Sequence, residues 1–175
     1  DPLDGTKEFL KRDGKGCFTV NIGLIENNNP TMGIVYAPAL NQMFCGCKDL
    51  GAWTTINGQK KTISVRTSEN NKLIAVASNS HRDLETNNWL RDNNVTETKS
   101  IGSSLKFCLL ASGEADVYPR FGPTMEWDTA AGDAILRAAG GLVTAPDLSN
   151  FEYGKHLYKN GPFIAWGDFN IKNKI

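Results

Sequence analysis

The chain has 175 residues, with 19 Lys and Arg balanced by 19 Asp and Glu, so its formal net charge is zero. A chain of this length can form one ordinary domain, or the larger part of a layered one, with a substantial core. Balanced charge excludes attraction of the whole surface to nucleic acid polymers or to anionic lipid. Any phosphate group must therefore bind at a local site.

Cysteine usage and hydropathy indicate a reducing, aqueous compartment. The cysteines, Cys17, Cys45, Cys47 and Cys108, are too few and too irregularly spaced for a disulfide scaffold. Cys45 and Cys47 lack the spacing of zinc knuckles and thioredoxin-like turns, so we interpret them as strand residues. No apolar run approaches the ~20 residues that a membrane-spanning helix needs. We expect reduced thiols, no integral membrane contact and a cytoplasmic location.

The first half of the chain predicts an antiparallel sheet. Short β-like runs at 18–25, 32–36, 43–45 and 52–55 are separated by turn residues. The first two runs flank an Asn- and Pro-containing loop, which is typical of a β-hairpin.

The second half alternates between strand and helix patterns. Strands are predicted at 73–77, 98–101, 115–118, 141–144 and 163–166. Helices are predicted at 82–93, 103–112 and 128–139. The alternation favours an α/β arrangement, so we predict two subdomains, residues 1–70 and 71–175.

The first residues form a motif, D-P-L-D-G-T, that can bind a cation and an anion together. Asp1 and Asp4 are spaced so that a turn can aim both carboxylates and the Leu3 carbonyl at one point, as hard cations such as magnesium require. Gly5 and Thr6 open a short amphipathic run whose free N–H groups would face an anion. The alternative is an ordinary turn that caps a helix.

A second motif, W-D-T-A-A-G at 127–132, opens the predicted helix at 128–139. Asp128 stands where an N-cap belongs and Gly140 where a C-cap belongs. The small residues after Asp128 permit close packing of the first helical turns. Taken alone, this motif indicates a well-capped buried helix.

Together, D-P-L-D-G-T-x-x-F and W-D-x-A-A-G-x-x-I-x-x-A-G-G resemble the two signatures of the inositol-monophosphatase superfamily. That superfamily also includes fructose bisphosphatases and bisphosphate nucleotidases. The resemblance implies an α/β fold, the α+β layered sandwich of the sugar-phosphatase type, and two or more magnesium ions. It also implies in-line attack on phosphorus by a metal-activated water, without a covalent phosphoenzyme.

The resemblance also assigns roles to residues of the two motifs. Asp1 resembles the carboxylate that bridges two magnesium ions, and Leu3 resembles the residue whose carbonyl binds the first ion. Asp4 and Asp128 resemble the carboxylates that hold the second ion. The catalytic residues implied in this way are Asp4 and Thr6, whose hydroxyl resembles the group that orients the attacking water.

The finer resemblance is to 3′(2′),5′-bisphosphate nucleotidases, including the bacterial CysQ group. Ser103 and Lys106 can place a hydroxyl and an ammonium beside one anion on a first helical turn, and Arg120 can add a fork of donors. The implied substrate-binding residues are Gly5, Thr6, His81, Ser103, Lys106 and Arg120. The implied partner is a small phosphorylated substrate, 3′-phosphoadenosine 5′-phosphate. The alternatives are solvated surface charges at Lys106 and Arg120 and a helix-entry residue at His81.

Family members carry a further N-terminal stretch with a metal-binding Glu, to which no residue of this sequence corresponds. We therefore expect the chain to lack that part of the family fold. Inositol monophosphatase activity and a non-catalytic phosphate-binding fragment remain the alternative interpretations.

Overall fold

A computed structural model of the chain describes residues 1–11, 17–68, 73–77, 83–93 and 95–168. The helices are α1 (Thr6–Lys11), α2 (Leu84–Asp92), α3 (Leu105–Ala111) and α4 (Glu126–Ala138). The strands of the first half are β1 (Val20–Glu26), β2 (Asn29–Ala37), β3 (Gln42–Cys47), β4 (Gly51–Ile56) and β5 (Gln59–Ile63). Those of the second half are β6 (Leu73–Val76), β7 (Val95–Lys99), β8 (Val117–Arg120), β9 (Thr124–Met125), β10 (Leu142–Thr144), β11 (Lys159–Asn160) and β12 (Phe163–Trp166).

The first sheet is an antiparallel meander in the order β1-β2-β3-β4-β5. The turn between β1 and β2 contains Asn27 and Asn28, whose φ angles of 49° and 63° suit the tight hairpins that match strand twist. The predicted antiparallel sheet is confirmed. Strand β5 was not predicted, because four of its five side chains are exposed and its sequence lacks a strand-like apolar alternation.

The second sheet is mixed, in the order β10-β12-β8-β6-β7. Strand β6 pairs in parallel with β7 and β8, whereas β12 pairs antiparallel with β8 and β10. The predicted alternation of strands and helices in this half is confirmed. The division into subdomains 1–70 and 71–175 stays a prediction.

Helices α3 and α4 lie between the two sheets and form the middle of a layered sandwich. Apolar side chains of the two helices and of the facing sides of both sheets form one buried cluster. Phe107 and Ile135 contribute to it from α3 and α4, and Val35 and Phe163 from the two sheets. On the far side of the second sheet, Trp89 of α2 packs edge-on against Trp166, with ring centroids 6.0 Å apart. The predicted layered α/β architecture is therefore confirmed.

Helix α4 approaches the first sheet closely enough to contact its backbone. Gly23, Gly33 and Gly46, on three neighbouring strands, all face this helix. A Cβ atom added to Gly46 would lie 2.5 Å from the Cα atom of Ile135. Glycine is therefore required at this contact, and the close packing predicted for the small residues at the start of the helix is confirmed.

Buried polar contacts fix the start of α4. The carboxylate of Glu126 accepts hydrogen bonds from the backbone N–H groups of Gly154 and Lys155, at 3.0 and 2.9 Å. About two turns later, the buried Asp133 accepts from Arg137 Nε at 2.7 Å and from the Tyr153 hydroxyl at 2.9 Å. These contacts hold the first turns of the helix against a loop of the second half.

The structure corrects the predicted first residues of helices α4 and α3. Helix α4 begins at Glu126 after an N-cap at Met125, so Asp128 is the third helical residue and the N-cap prediction was wrong. Its C-cap is Ala139, and the following Gly140 has a φ of 100°, which a glycine adopts at little cost. Helix α3 begins at Leu105, so Ser103 lies in the preceding turn and the prediction that placed it on the first helical turn was wrong.

Within the described ranges, no helix combines the length and the apolar character needed to cross a membrane.

Candidate metal and phosphate site

Three predicted metal ligands from distant parts of the sequence form one acidic cluster. Asp1 and Asp4 lie in the turn before α1, and Asp128 lies in the first turn of α4. One carboxylate oxygen from each lies within 4.8 Å of the other two. All three residues are partly buried. The structure therefore brings the two motifs together, as the metal-site prediction requires.

Backbone hydrogen bonds fasten the acidic turn to the first sheet. The N–H and C=O groups of Asp4 pair with those of Thr19, both at 2.9 Å. The carbonyl of Asp1 accepts from the Asn21 N–H at 2.8 Å, and its carboxylate accepts from the Leu3 N–H at 2.9 Å. The two carboxylates are thus held at the beginning of β1. The role of the Leu3 carbonyl as a metal ligand stays a prediction.

Asp128 is both a helix-capping group and a member of the cluster. Its Oδ2 accepts a hydrogen bond from the Met125 N–H at 2.7 Å. Burial raises the pKa of Asp128, and the negative charge of Asp4 raises it further, while the Met125 hydrogen bond opposes both. Negative charge at this position therefore lacks full compensation from the described residues.

These properties fit a hard divalent cation. The cluster offers only carboxylate oxygens, the ligand type that magnesium and calcium prefer. A cation placed among them would offset both the burial and the Asp4 charge that raise the pKa of Asp128. Asp1, Asp4 and Asp128 are therefore the residues that could hold a metal here.

Gly5 provides the sharp turn between the acidic residues and α1. Its φ is 84°, and its carbonyl accepts the first helical hydrogen bond, from the Phe9 N–H at 3.0 Å. A Cβ atom at this position would lie 3.2 Å from both the Cys17 carbonyl oxygen and the Phe18 Cα atom. Thr6 is the first residue of α1 and is exposed. Phosphate binding by these two amides, and the water-orienting role of the Thr6 hydroxyl, stay predictions.

A cavity of about 210 Å³ adjoins the acidic cluster. The predicted site residues among those that line it are Asp4, Gly5, Ser103, Lys106, Arg120 and Asp128. They come from four separate segments of the chain. The cavity therefore joins the acidic cluster to the predicted second-phosphate residues in one space.

Lys106 is buried, so its interpretation as a solvated surface charge was wrong. Its side chain is 9% exposed, and Nζ donates to the Ser103 carbonyl oxygen at 2.9 Å. Burial, with a smaller contribution from the nearby Arg120, lowers the pKa of Lys106 to about 8, while the negative charge of Asp4 opposes the shift. Among the described residues, neither Lys106 nor Arg120 takes part in an ion pair. Two positively charged side chains that line one small cavity are suited to an anion.

Arg120 ends β8 and lines the same cavity. Its Nε donates to the carbonyl oxygen of Gly122 at 3.2 Å, which holds the guanidinium beside the chain turn that follows. His81, also predicted to bind substrate, lies outside the described residues.

Ser104 is a site residue that the sequence did not reveal. It is 2% exposed, and both its N–H and its hydroxyl contact the Asp4 carboxylate, at 2.7 and 2.9 Å. The sequence offered one signal for Ser104: Ser103 and Ser104 precede an apolar helix, and serine is a preferred N-cap residue. Spacing alone did not show that this hydroxyl faces an acidic turn from the other half of the chain.

Comparison with known proteins finds similar sequences and structures among CysQ nucleotidases and inositol monophosphatases. The chain is 51% identical over 143 residues to 3′(2′),5′-bisphosphate nucleotidase CysQ of Escherichia coli K12, covering 82% of the chain and 56% of that relative. The crystal structure of CysQ from Bacteroides thetaiotaomicron has a TM-score of 0.85 at 40% identity, covering 95% of this chain and 68% of that one. An inositol monophosphatase from Zymomonas mobilis has a TM-score of 0.80 at 26% identity, covering 99% and 66%.

The chain spans a little over half the length of the curated relative, 56%. The family model described as "Inositol monophosphatase family" matches residues 1–167, which confirms the resemblance of the two acidic motifs. The chain belongs to the inositol monophosphatase family.

Proposed function

We propose that this chain carries the site of a magnesium-dependent phosphomonoesterase that removes the 3′-phosphate of 3′-phosphoadenosine 5′-phosphate, giving AMP and phosphate. The observation that carries the proposal is the cavity lined at once by Asp4 and Asp128 and by Lys106 and Arg120. An acidic cluster alone would suit many metal-dependent enzymes. The adjacent pair of cations adds a place for a second anionic group.

Asp1, Asp4 and Asp128 would hold the metal. When bound, magnesium would supply electrostatic stabilisation of the phosphoryl oxygens and a water of lowered pKa. The Gly5 and Thr6 amides would bind the phosphate to be cleaved, because they lie beside the acidic turn at the start of α1, where backbone N–H groups have no partner within the helix. The Thr6 hydroxyl would orient the attacking water.

Lys106, Arg120 and Ser103 would bind the phosphate that is not cleaved. A buried ammonium has a strong requirement for an anionic partner, because its charge has lost most of its hydration. The likeness to CysQ nucleotidases, at 51% and 40% identity, supports a bisphosphorylated nucleotide as that partner. A cytoplasmic location and the absence of nucleic acid polymers as partners stay predictions.

Two other functions compete with this one. Inositol monophosphatase activity would use the same acidic cluster, and the likeness to the Zymomonas mobilis inositol monophosphatase supports it as an alternative. A non-catalytic phosphate-binding role is the second, because the chain spans 56% of the curated relative.

The test is phosphate release from 3′-phosphoadenosine 5′-phosphate and from inositol 1-phosphate, with magnesium or with a chelator. It is run on the 175-residue chain and on a chimera that adds the unmatched remainder of the Escherichia coli relative. We expect magnesium-dependent release with preference for the nucleotide. Preference for the inositol phosphate would favour the first alternative. Absence of release from the chimera, despite bound metal, would favour the second.

A further inference from the structure

Ser104 occupies the N-cap of α3 without capping it. An N-cap serine ordinarily accepts a hydrogen bond from an amide of the first helical turn. Ser104 makes no such side-chain bond, and its backbone is in the helical region, at φ −68° and ψ −6°. Its hydroxyl donates instead toward the Asp4 carboxylate, at 2.9 Å. The buried Ser104 hydroxyl therefore binds Asp4 and does not cap helix α3.

Both donors of Ser104 act on the same oxygen of Asp4. The Ser104 N–H lies 2.7 Å from Oδ2 and the hydroxyl lies 2.9 Å from it. Two longer contacts, from Thr19 and Asn21 at 3.5 Å, also end on Oδ2. These four contacts from Thr19, Asn21 and Ser104 all end on Oδ2 of the Asp4 carboxylate.

The same hydroxyl connects Asp4 to Asp128 and to the first sheet. Asn21 Nδ2 donates to Ser104 Oγ at 2.8 Å, and Ser104 Oγ lies 3.1 Å from the backbone carbonyl oxygen of Asp128. Because Asn21 supplies a hydrogen to this oxygen, the single hydrogen of the hydroxyl is directed at Asp4 Oδ2, which is the nearer and the charged acceptor. Ser103 precedes this arrangement with a φ of 49°, an uncommon conformation for a residue other than glycine.

We infer that Ser104 is a positioning residue for metal binding: it orients the Asp4 carboxylate toward Asp1 and Asp128, and Asn21 orients Ser104. This role rests on the proposed function, because it presumes that the acidic cluster binds a divalent cation. Hydrogen bonds from outside the ligand shell fix ligand orientation, and their loss typically weakens metal affinity on the order of 10–100-fold.

The direct test is binding of Mn²⁺ to the 175-residue chain, measured by electron paramagnetic resonance, and of Mg²⁺, measured by calorimetry. We expect Ser104→Ala to raise both dissociation constants by on the order of tenfold or more. Asn21→Ala should raise them less, because the Ser104 hydroxyl and N–H remain. Ser104→Thr keeps the hydroxyl and should restore most of the affinity.

Thr144→Val is the matched control for the loss of a buried hydroxyl. Thr144 is 1% exposed and accepts from Trp166 Nε1 at 3.0 Å, in the second sheet. The Thr144→Val substitution should lower the thermal midpoint measured in the presence of chelator without changing metal affinity. If Ser104→Ala does not fold, Asn21→Ala is measured in its place. Unchanged metal affinity in Asn21→Ala would then overturn the positioning role.

Outcomes separate this inference from the proposed function. Wild-type metal affinity in folded Ser104→Ala would overturn the positioning role, whatever the chimera hydrolyses. Weakened metal binding together with no phosphatase activity in the chimera would support the positioning role and count against the proposed function. An unmodified chain that binds neither cation would overturn the positioning role, and the proposed function would then be decided by phosphate release from the chimera.

Discussion

The carboxylates of Asp4 and Asp128 approach within 4.8 Å of each other although one precedes the first helix and the other opens the last. Two like charges are held at this separation by independent scaffolds, a turn fastened to β1 and the first turn of α4. The native fold therefore maintains an arrangement that is electrostatically unfavourable until a cation binds.

Asp128→Asn should abolish turnover and leave the fold intact. The amide loses the charge that a cation requires, but its oxygen can still accept from the Met125 N–H. Because burial raises the pKa of Asp128, the neutral replacement should maintain or raise the thermal midpoint in chelator. We expect at least a ~100-fold loss of turnover in the chimera and loss of the metal-induced thermal shift. Asp147→Asn, at an exposed loop, is the control, and unchanged turnover in Asp128→Asn would refute the metal assignment.

Lys106→Ala should discriminate between substrates. Removing a charge-assisted contact costs about 1.5–3 kcal/mol, so the Michaelis constant for 3′-phosphoadenosine 5′-phosphate should rise on the order of 10–100-fold. Inositol 1-phosphate, which has no second phosphate, should be spared. Lys60→Ala removes an exposed lysine that lies over the Trp53 ring and serves as the control. Equal effects of Lys106→Ala on the two substrates would contradict the second-phosphate pocket.

Nucleotide affinity should fall as pH rises through about 8. Burial lowers the pKa of Lys106 from 10.5 to about 8, so the ammonium that attracts the anion is present below that pH and lost above it. Before ligand binds, the unfolded chain holds this proton up to a higher pH than the folded chain does. Charged Lys106 therefore destabilises the empty fold at neutral pH, and its contribution to stability rises between about 8 and 10.5.

The measurement is the dissociation constant for 3′-phosphoadenosine 5′-phosphate between pH 7 and 9.5, titrated on the 175-residue chain. Lys106→Arg keeps a positive charge throughout this range and should flatten the profile. An identical profile in Lys106→Arg would assign the pH dependence to another group.

Gly46→Ala should weaken the contact between α4 and the first sheet. The added methyl group would meet the Ile135 Cα atom at 2.5 Å, and overpacking of this kind typically costs about 1–3 kcal/mol. Helix α4 must shift to accommodate it, so we expect both a lower free energy of unfolding in urea and weaker Mn²⁺ binding through displacement of Asp128. Gly161→Ala, where an added methyl has open space, is the matched control. An unchanged free energy of unfolding in Gly46→Ala would contradict this prediction and show that the first sheet shifts to accommodate the methyl group.

Local sequence signals identified most of the secondary structure. The hairpin at Asn27 and Asn28 and the strand at 163–166 combine turn chemistry with apolar residues, and both are present. Strand β5 was missed because its edge position and exposed lysines leave no apolar pattern. The start of α4 was misplaced because an acidic residue suits both the N-cap and the third helical position, and contacts from Gly154 and Lys155 to Glu126 favour the earlier start.

The sequence by itself determined the family and the acidic residues of the site, because these depend on residue identity and spacing within short motifs. Only the tertiary structure decided that Lys106 is buried and that Ser104 faces Asp4. Ser104 and Asp4 are 100 residues apart in the chain, so no local sequence pattern records a contact that the packing of separate elements creates.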